Sequence, residues 1–313
     1  MLSSVQTYTD PERMEAAYTA ARVELTPTRR GPFNARVIRL ELNRLWLQRV
    51  HESAPRIKWS AQSPSRAFIR FQTNIGPEPV TDGVPLRRDQ LMHHCRGHSY
   101  YEHTVGPSNW GAVSLPVEDM AIAGIALTGR DLSPPSESRH VVPSAKTMSR
   151  LRRLHAEAAA LVQAAPRVLE VAEVAHGLEQ SFVEAVIDCL TSHDAQERTW
   201  AHHCHNTVMR RFRRLLESDP DRAFYIPEIS ATIGVPERTL RVCCHEYLHM
   251  SPKRYLLLRR LHQVHRVLRT SSHAETTVTN VATRFGFWHF GRFAGSYRQI
   301  FGEPPSVTLA RPA

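Results

Sequence analysis

Cysteine is scarce in this chain of 313 residues, and long apolar runs are missing. The five cysteines stand at 95, 189, 204, 243 and 244, and no two of them have CxxC spacing. Such a scattered, odd set disfavours a disulfide scaffold and indicates a reducing compartment. No apolar run approaches the roughly 20 residues that span a bilayer, and the polar start lacks the features of a signal peptide. We therefore expect a cytoplasmic protein that does not enter a membrane.

Lysine is scarce as well, so arginine supplies most of the positive side chains behind the net charge of +10. Residues 205–313 hold 17 basic and 8 acidic side chains, whereas residues 1–204 hold 23 and 22. A GC-rich genome would explain arginine over lysine, but it would not explain this asymmetry. A basic segment of this kind is typical of a surface that binds the phosphate groups of a nucleic acid.

Two similar blocks lie in the basic segment. The first, IPEISATIGVPERTLRVCCHEY, runs from Ile226 to Tyr247, and the second, VTNVATRFGFWHFGRFAGSYRQIFG, runs from Val278 to Gly302. In each block a short helix with apolar periodicity ends at a glycine, Gly234 or Gly286, and a second amphipathic helix follows. This is the pattern of a helix-turn-helix, in which the second helix enters the major groove of DNA.

A long helix is predicted between the two blocks. Ser251 can cap its start, with Pro252 at the first helical position. Its apolar residues recur at steps of three and four, as Tyr255, Leu258, Leu261, Val264 and Leu268. From Pro252 to Arg269 the helix would be about 27 Å long, and we expect it to hold the two reading helices roughly one DNA turn, or 34 Å, apart.

A family resemblance is carried by residues spread over the last third of the chain. They are Gly234-Val235, Arg238-Thr239-Leu240, Met250-Ser251-Pro252, Arg260-Leu261, Val281-Ala282, Gly286-Phe287, Phe293, Tyr297, Phe301-Gly302 and Pro305. With these residues the chain resembles the AraC/XylS transcription regulators, and its ending is most similar to the branch of the ethanolamine-utilisation regulators. The resemblance implies a C-terminal all-α domain that binds double-stranded DNA, and a contact with RNA polymerase.

Residues 1–143 carry a different pattern. A helix is predicted from Asp10 to about Arg22. From Gly31 to about Arg130, short runs of alternating apolar and polar residues are separated by turn signals, which predicts a β-rich domain of the barrel or jelly-roll type. The fold class is therefore α+β, and the resemblance implies that the β-rich domain is a cupin-like barrel that binds a small-molecule effector.

The sequence does not identify the effector or the residues that bind it. Five side chains are candidates to line a pocket, although buried aromatic residues more often form core. They are Trp46, Trp59, Arg70, His93 and Trp110.

A helical hairpin is predicted for residues 144–190. One apolar stripe contains Met148, Leu151, Leu154, Ala158 and Leu161, and the other contains Leu169, Ala172, Leu178, Phe182, Ala185 and Cys189. The resemblance implies that such a hairpin forms the contact of a homodimer, and the alternative is an intramolecular hairpin without a partner. Residues 191–205 are polar and lack periodicity, so they are predicted to be a linker, and residues 206–313 are predicted to be the DNA-binding domain.

The first reading helix has a face suited to base recognition. Its apolar set is Leu240, Cys243, Cys244 and Tyr247, which leaves Arg238, Arg241, Val242 and His245 on the opposite face. Arginine forks to the O6 and N7 atoms of guanine, so Arg238 and Arg241 are predicted to read bases. Thr239 and His245 are predicted to contact phosphates, which fixes the position of the helix without reading sequence.

The second reading helix offers much smaller groups. Aligning Leu240 with Phe293 places Gly291, Ala294, Gly295 and Arg298 where the first helix has its groove-facing residues. Glycine and alanine cannot fork to guanine, although they allow close approach of the backbone or contact with a thymine methyl group. We therefore predict that the second unit mainly positions the protein, through Arg292, Arg298 and His289. The alternative is that these glycines only pack or soften the helix.

Two residues depart from the family pattern around the first reading helix. Pro236 stands where a capping serine or threonine is common, so the cap hydrogen bond is lost. His249 stands where a glycine usually ends the helix, in a left-handed conformation that histidine rarely adopts.

Catalytic motifs are missing: the sequence contains neither a Gly-rich phosphate loop nor a nucleophile elbow. We therefore predict no enzyme activity and no cofactor. His202, His203, Cys204 and His205 are consecutive, so they converge poorly on a metal ion. A second cluster, His93, His94, Cys95, His98 and His103, keeps one alternative open: a metal-dependent cupin-type enzyme fused to a DNA-binding domain.

Overall fold

The computed structural model describes residues 2–18, 21–97, 99–192, 196–198, 203–272 and 274–311. Its strands are β1 (Leu2–Tyr8), β2 (Ala21–Pro27), β3 (Ala35–Glu41), β4 (Trp46–Glu52), β5 (Arg56–Gln62), β6 (Arg66–Gln72), β7 (Val80–Thr81), β8 (Val84–Pro85), β9 (Leu91–His93), β10 (Ser99–Thr104), β11 (Ser108–Pro116), β12 (Arg139–Val142) and β13 (Gln196–Arg198). Its α-helices are α1 (Pro11–Glu15), α2 (Val117–Thr128), α3 (Ala145–Ala164), α4 (Ala172–Thr191), α5 (His203–Ser218), α6 (Ile226–Ile233), α7 (Glu237–Leu248), α8 (Pro252–Thr270), α9 (Val278–Arg284), α10 (Phe290–Phe301) and α11 (Pro305–Ala310).

The N-terminal region is built from two antiparallel sheets. The larger has the strand order β1-β3-β4-β11-β6-β9-β12-β13, and the smaller has the order β2-β5-β10-β7-β8. Over the described strands, each order has two free edges, so neither sheet closes on itself. The predicted fold class is confirmed: a sheet-rich N-terminal domain carries a helical hairpin, and an all-α domain follows. The cupin-like sheets form an open arrangement rather than a closed barrel.

A cluster of buried charges lies within the N-terminal domain. Glu102 accepts a hydrogen bond from Arg56 at 2.9 Å, lies 3.3 Å from the Lys58 ammonium and is ion-paired with Arg70. Arg56 also pairs with Glu52. All five side chains are almost completely buried. Charges in the interior are stable only when they are paired in this way, so this cluster is part of the domain core.

The five pocket candidates from the sequence are buried as well. Trp46, Trp59, Arg70, His93 and Trp110 are each less than a tenth exposed. Lys58 and Arg70 lie 4.7 and 4.8 Å from the ring of Trp110, so these groups pack on one another.

The helical hairpin of α3 and α4 packs on the larger sheet. Its apolar stripes join Leu40, Ile69 and Val113 of the strands in one hydrophobic cluster. Phe182 is fully buried in this cluster and Leu178 is packed against it. Phe182 therefore forms intramolecular core, and Leu178 is half-buried against it. That the hairpin forms the contact of a homodimer stays a prediction.

Three segments of the N-terminal region differ from the sequence prediction. Helix α1 ends at Glu15 instead of near Arg22, because the chain reverses there and β2 pairs with β5. The Glu15 carboxylate accepts the amide hydrogen of Leu25 at 2.7 Å and secures this reversal. Helix α2 lies inside the segment predicted to be all strand. Strand β13 lies inside the predicted linker, where it pairs with β12.

The C-terminal domain packs its first helix-turn-helix directly on the smaller sheet. Ile57, Trp59 and Tyr101 of that sheet belong to the same hydrophobic cluster as the buried residues of α5, α6 and α7. A separate cluster joins the second half of α8 to α9, α10 and α11. We call the first of these the interdomain core. It couples the position of the first helix-turn-helix to that of the sheet.

Ion pairs surround the interdomain core. Arg213 of α5 pairs with Glu24 and lies 4.0 Å from the ring of Trp59. Burial favours a raised pKa for Glu24, but the charge and hydrogen bond of Arg213 outweigh it and hold that pKa below its usual value. On α8, Arg266 lies 3.3 Å from Glu15 and Arg269 lies 2.5 Å from Asp10. Among the described helices, none is long and apolar enough to cross a membrane.

Phe182 tests the assignment of the hairpin stripe to the core. Because its ring is fully buried in the hairpin core, Phe182→Ala should lower the free energy of unfolding by about 3–5 kcal/mol. The matched control is Val174→Ala on the same helix, where the side chain is partly exposed and the loss should be much smaller. Urea unfolding of the full chain, followed by circular dichroism, measures both. A Phe182→Ala variant as stable as Val174→Ala would contradict the assignment of this stripe to the core.

Candidate nucleic-acid interface

The first helix-turn-helix consists of α6, a turn at Gly234 and α7. Gly234 has a φ of 73°, in the left-handed region that glycine adopts without strain. Helix α7 buries Leu240, Cys243, Cys244 and Tyr247 in the interdomain core. Its opposite face is exposed and carries four of the residues predicted to contact DNA, namely Arg238, Arg241, Val242 and His245. The fifth, Thr239, is half-buried.

The two unusual residues at the ends of α7 are accommodated in different ways. Pro236 occupies the N-cap position and forms no side-chain cap hydrogen bond. His249 ends the helix in the left-handed region, with φ 55°, and its amide donates to the His245 carbonyl at 3.1 Å. The His249 ring stacks on His103 of the smaller sheet, with ring centroids 5.1 Å apart. A glycine would not make this contact, so His249 exchanges some backbone strain for a link between the domains.

The second helix-turn-helix consists of α9, a turn at Gly286 and α10. Phe293, Tyr297 and Ile300 are the buried side of α10. Gly291, Arg292, Gly295 and Arg298 are exposed, as is His289 just before the helix, and Ala294 is half-buried. A Cβ atom at Gly291 or Gly295 would meet no atom within 4 Å. Intramolecular packing therefore does not require these two glycines.

Helix α8 joins the two units and extends one residue beyond its predicted end. The Ser251 hydroxyl accepts the amide hydrogen of Arg254 at 3.3 Å and caps its start. Its 19 residues correspond to a length of about 28 Å. Tyr255 and Leu256 belong to the interdomain core, whereas Leu258, Leu261, Val264 and Leu268 belong to the cluster of the second unit. One helix thus contributes to both apolar clusters, and the face predicted to be apolar is the buried one.

The exposed faces of both reading helices present unpaired cations. Arg238, Arg241, Arg292 and Arg298 form no ion pair or side-chain hydrogen bond with any residue that the structure describes. Some other arginine side chains of this domain are occupied: Arg259 donates to the Leu216 carbonyl at 2.9 Å, and Arg284 pairs with Asp221. Free guanidinium groups on these faces are available for the phosphates and base edges of a duplex.

Exposed aromatic side chains beside the second reading helix were not predicted. Trp288 lies in the turn after Gly286 and Phe290 is the first residue of α10, and both are exposed. The sequence signal was available, since Trp288 lies in a turn where no helical face can bury it. Large apolar groups on the rim of a groove-facing helix can contact thymine methyl groups.

The histidine clusters do not form a metal site within the described part of the chain, where no group of three or more His, Cys, Asp or Glu residues could hold a metal ion. Burial lowers the pKa of His93 to about 4, so its ring is neutral at physiological pH. His98 and His202 lie outside the described residues, as do the side chains of His203 and Cys204.

Comparison with known proteins identifies the family of this chain. A family model described as a helix-turn-helix domain matches residues 229–311. A thc operon regulatory protein of Rhodococcus erythropolis is 35% identical over 94 residues, which cover 30% of this chain and 28% of that protein. XylDLEGF operon transcriptional activator 2 of Pseudomonas putida is 30% identical over 105 residues, which cover 34% of this chain and 67% of that protein. The chain belongs to the AraC/XylS family.

A solved structure is similar to a third of the chain in sequence. An AraC family transcriptional regulator from Rhodopseudomonas palustris is 34% identical to the chain and is covered over 99% of its length, with 34% of this chain matched and a TM-score of 0.31. The matches to the first three curated relatives span only 28–32% of the length of those proteins. The chain therefore spans less than a third of the length of each of these three relatives.

The two turn glycines give a paired prediction. Gly234 and Gly286 both have a φ near 73°, so alanine at either position should cost about 1–2 kcal/mol of backbone strain. Around Gly234 a Cβ atom would meet nothing within 4 Å, whereas at Gly286 it would lie 2.4 Å from the Cβ of Ala223. Gly286→Ala should therefore destabilise the full chain clearly more than Gly234→Ala. Thermal unfolding of the two variants is the measurement, and equal losses would show that Ala223 does not restrict the second turn.

Proposed function

We propose that this AraC/XylS-family chain is a sequence-specific DNA-binding transcription regulator whose first helix-turn-helix reads bases. This proposal rests on the face of α7 that presents Arg238 and Arg241. Both guanidinium groups are exposed and unpaired among the described residues, while the opposite face of α7 is fixed in the interdomain core. A rigid helix with free forked donors is the geometry that direct readout of guanine needs. Val242, Thr239 and His245 complete the proposed contact surface.

The second helix-turn-helix is proposed to position the protein. Gly291, Ala294 and Gly295 offer almost no side chain to a base pair, so the backbone of α10 can approach the duplex closely. Arg292, Arg298 and His289 are then placed to contact phosphates. Residues 206–313 would form the DNA-binding unit. Residues 1–143 would form the sensing domain, and residues 144–190 would form its helical hairpin. Residues 191–205 would connect the hairpin to the DNA-binding unit.

The test of this function is a binding titration of the full chain, after footprinting on genomic fragments has identified a cognate site. Affinity should fall steeply with salt, because phosphate contacts release counterions. Arg241→Ala should lose about 1–3 kcal/mol on the cognate site and relax the preference at one base pair. Arg298→Ala should instead weaken cognate and random duplexes about equally, because a phosphate contact carries no sequence information.

Single-base variants of the site separate the outcomes of this titration. The assignment of base reading to the first unit and of positioning to the second is wrong if Arg298→Ala relaxes the sequence preference while Arg241→Ala does not. If both variants lose preference, the two units read jointly. Arg153→Ala on α3 is the control, since this exposed arginine lies on the N-terminal domain and its loss should leave DNA affinity unchanged. A folded chain with no salt-sensitive DNA affinity would defeat the function itself.

We further propose that a small-molecule effector binds in the cleft between the two domains. This cleft has a volume of about 450 Å³ and is lined on one side by residues of the sheets and loops, including Arg96 and Ser138. Its other side consists of Asn206 and Arg210 of α5 and Tyr247 of α7. Ligand sites of this volume are common at domain interfaces. Here an effector would touch the helix that is proposed to read DNA.

Polar groups in the cleft favour an organic carboxylate as effector. Arg210 has no partner among the described residues, and Arg96 uses only its Nε atom, which donates to the Pro64 carbonyl at 2.8 Å. The Tyr247 side chain is fully buried, and its hydroxyl has no hydrogen-bond partner among the described residues. Asp82 and Glu137 also line the cleft. An effector changes DNA binding only if it prefers one domain arrangement, which a ligand bridging both sides would do.

Thermal unfolding of the full chain tests the cleft with acetate, succinate, citrate and the common amino acids as probes. At least one carboxylate should raise the melting temperature, as any ligand specific for the folded state does. Arg96→Gln and Arg210→Gln should abolish that shift, whereas the control Arg153→Gln should retain it. The effector site is wrong if no carboxylate produces a shift, or if the shift survives both cleft substitutions.

The proposed regulator also has macromolecular partners. A homodimer, contact with RNA polymerase and a cytoplasmic location accompany the regulator function. The rival function, a metal-dependent cupin-type enzyme fused to a DNA-binding domain, predicts one tightly bound transition metal per chain. Elemental analysis of the purified protein distinguishes the two functions.

A further inference from the structure

Two aromatic side chains beside the second reading helix have no partner among the described residues. Trp288 is 66% exposed and Phe290 is 43% exposed. Neither ring contacts another ring or a cation in the described part of the chain, and neither belongs to the buried cluster of the second helix-turn-helix. Aromatic rings normally contribute their large apolar area to a core or to an interface. Since the core does not use these two rings, they are available for a contact with another molecule.

The position of Phe290 on α10 follows from helix geometry. Phe290 is the first residue of the helix, and at about 100° per residue it lies roughly 40° from Ala294. Ala294 belongs to the face proposed to lie on the duplex, together with Gly291 and Gly295. The N-terminal residues of a recognition helix are the ones that contact base edges. The ring of Phe290 is therefore at the rim and at the leading end of that face.

Two glycines on the same face are not required by the fold. A Cβ atom at Gly291 or Gly295 would meet no atom within 4 Å, and neither glycine has a positive φ. Glycine inside a helix is less stable than alanine. The protein itself therefore gains nothing from these two glycines, whereas a second surface that approaches the backbone of α10 closely does require them.

The charges around this apolar surface indicate that the second surface is DNA. Arg292 and Arg298 are exposed and form no ion pair with any described residue, and α10 contains no acidic residue. In α7 the position equivalent to Phe290 is occupied by Glu237, so this combination is specific to the second unit. Free cations around an apolar contact are complementary to a duplex, whose phosphates flank the groove. The apolar group that a base presents in the major groove is the C5-methyl group of thymine.

We propose that Phe290 contacts the C5-methyl group of a thymine in the half-site of the second helix-turn-helix. Close approach of the α10 backbone at Gly291 and Gly295 brings the ring to the base edge, while Arg292 and Arg298 contact phosphates. This contact rests on the proposed DNA-binding function, and it adds one base-specific contact to the positioning role of the second unit.

Replacement of single thymines by deoxyuridine tests the contact, because uracil lacks only the C5-methyl group and pairs in the same way. With the full chain on its footprinted site, one replacement should weaken binding by about fourfold, the equivalent of one buried methyl group. The sensitive thymine should lie one helical turn, roughly 10 base pairs, from the base pair at which Arg241→Ala relaxes the preference. Phe290→Ala should bind the thymine and uracil duplexes equally well.

Val307→Ala and Trp288→Ala are the matched controls. Val307 is an apolar residue of α11 that is 42% exposed, close to the exposure of Phe290, and its variant should keep the sensitivity to uracil. Trp288→Ala should keep it as well, and a loss there instead of in Phe290→Ala overturns the assignment to Phe290. Because Phe290 lies outside the core, its variant should keep the circular dichroism spectrum and melting temperature of the unmodified chain.

Gly291→Ala tests the close approach of the α10 backbone. The added methyl group meets no atom within 4 Å and alanine favours a helix, so the melting temperature should stay the same or rise. The affinity for cognate and random duplexes should fall, because the methyl group separates the backbone from the groove. A variant whose DNA affinity is unchanged would overturn the close approach and the contact that depends on it.

Failure of this contact and failure of the proposed function give different results. Salt-sensitive binding to the cognate site without a uracil-sensitive thymine in the second half-site overturns the Phe290 contact and leaves the function standing. Sensitivity confined to the half-site of α7 assigns the methyl contact to the first reading helix, which also overturns the proposal. A folded chain without salt-sensitive DNA affinity overturns the DNA-binding function, and the Phe290 contact with it.

Discussion

The position of the first reading helix depends on one apolar contact. Ile57, Trp59 and Tyr101 of the smaller sheet share a single buried cluster with α5, α6 and α7, so α7 is held by the N-terminal domain as well as by its own. Apolar interiors are close-packed and deform little. A change in the sheet must therefore either move α7 with it or break the cluster. Arg213 is buried between Glu24 and Trp59. Breaking the cluster would separate Arg213 from Glu24 and cost free energy, because a buried charge would lose its partner.

Helix α8 packs differently against the two helix-turn-helix units. Its first turns belong to the interdomain core, and its later turns belong to the cluster of the second helix-turn-helix. The second unit has no part in the interdomain core, and α8 and the ion pair of Arg284 with Asp221 attach it to the first. This difference in packing agrees with the proposed roles of the two units, since arginines that read bases need precise placement, whereas phosphate contacts tolerate variation.

The helices of the C-terminal domain were predictable because apolar residues recur at helical spacing and glycines end each first helix. Helix α8 was predicted to within one residue. The same reasoning failed for α2, because a helix with apolar residues on all sides has no periodicity to detect. It failed for α1 and β2 because the reversal after Glu15 depends on a hydrogen bond to Leu25. The interdomain cleft could not be predicted, since its lining combines Arg96, Ser138, Arg210 and Tyr247 from separate parts of the chain.

The buried charges of the N-terminal domain have a thermodynamic consequence. Arg56, Lys58 and Arg70 outnumber their two carboxylate partners, and burial, with the neighbouring arginine charges, lowers the pKa of Lys58 to about 7. An unfolded chain restores that pKa to its ordinary value near 10.5. Unfolding between these two pH values therefore takes up a proton from solvent, and stability gains a contribution that grows as pH rises from about 7 towards 10.5. A calorimeter would register this uptake as an unfolding heat that changes with the ionisation enthalpy of the buffer.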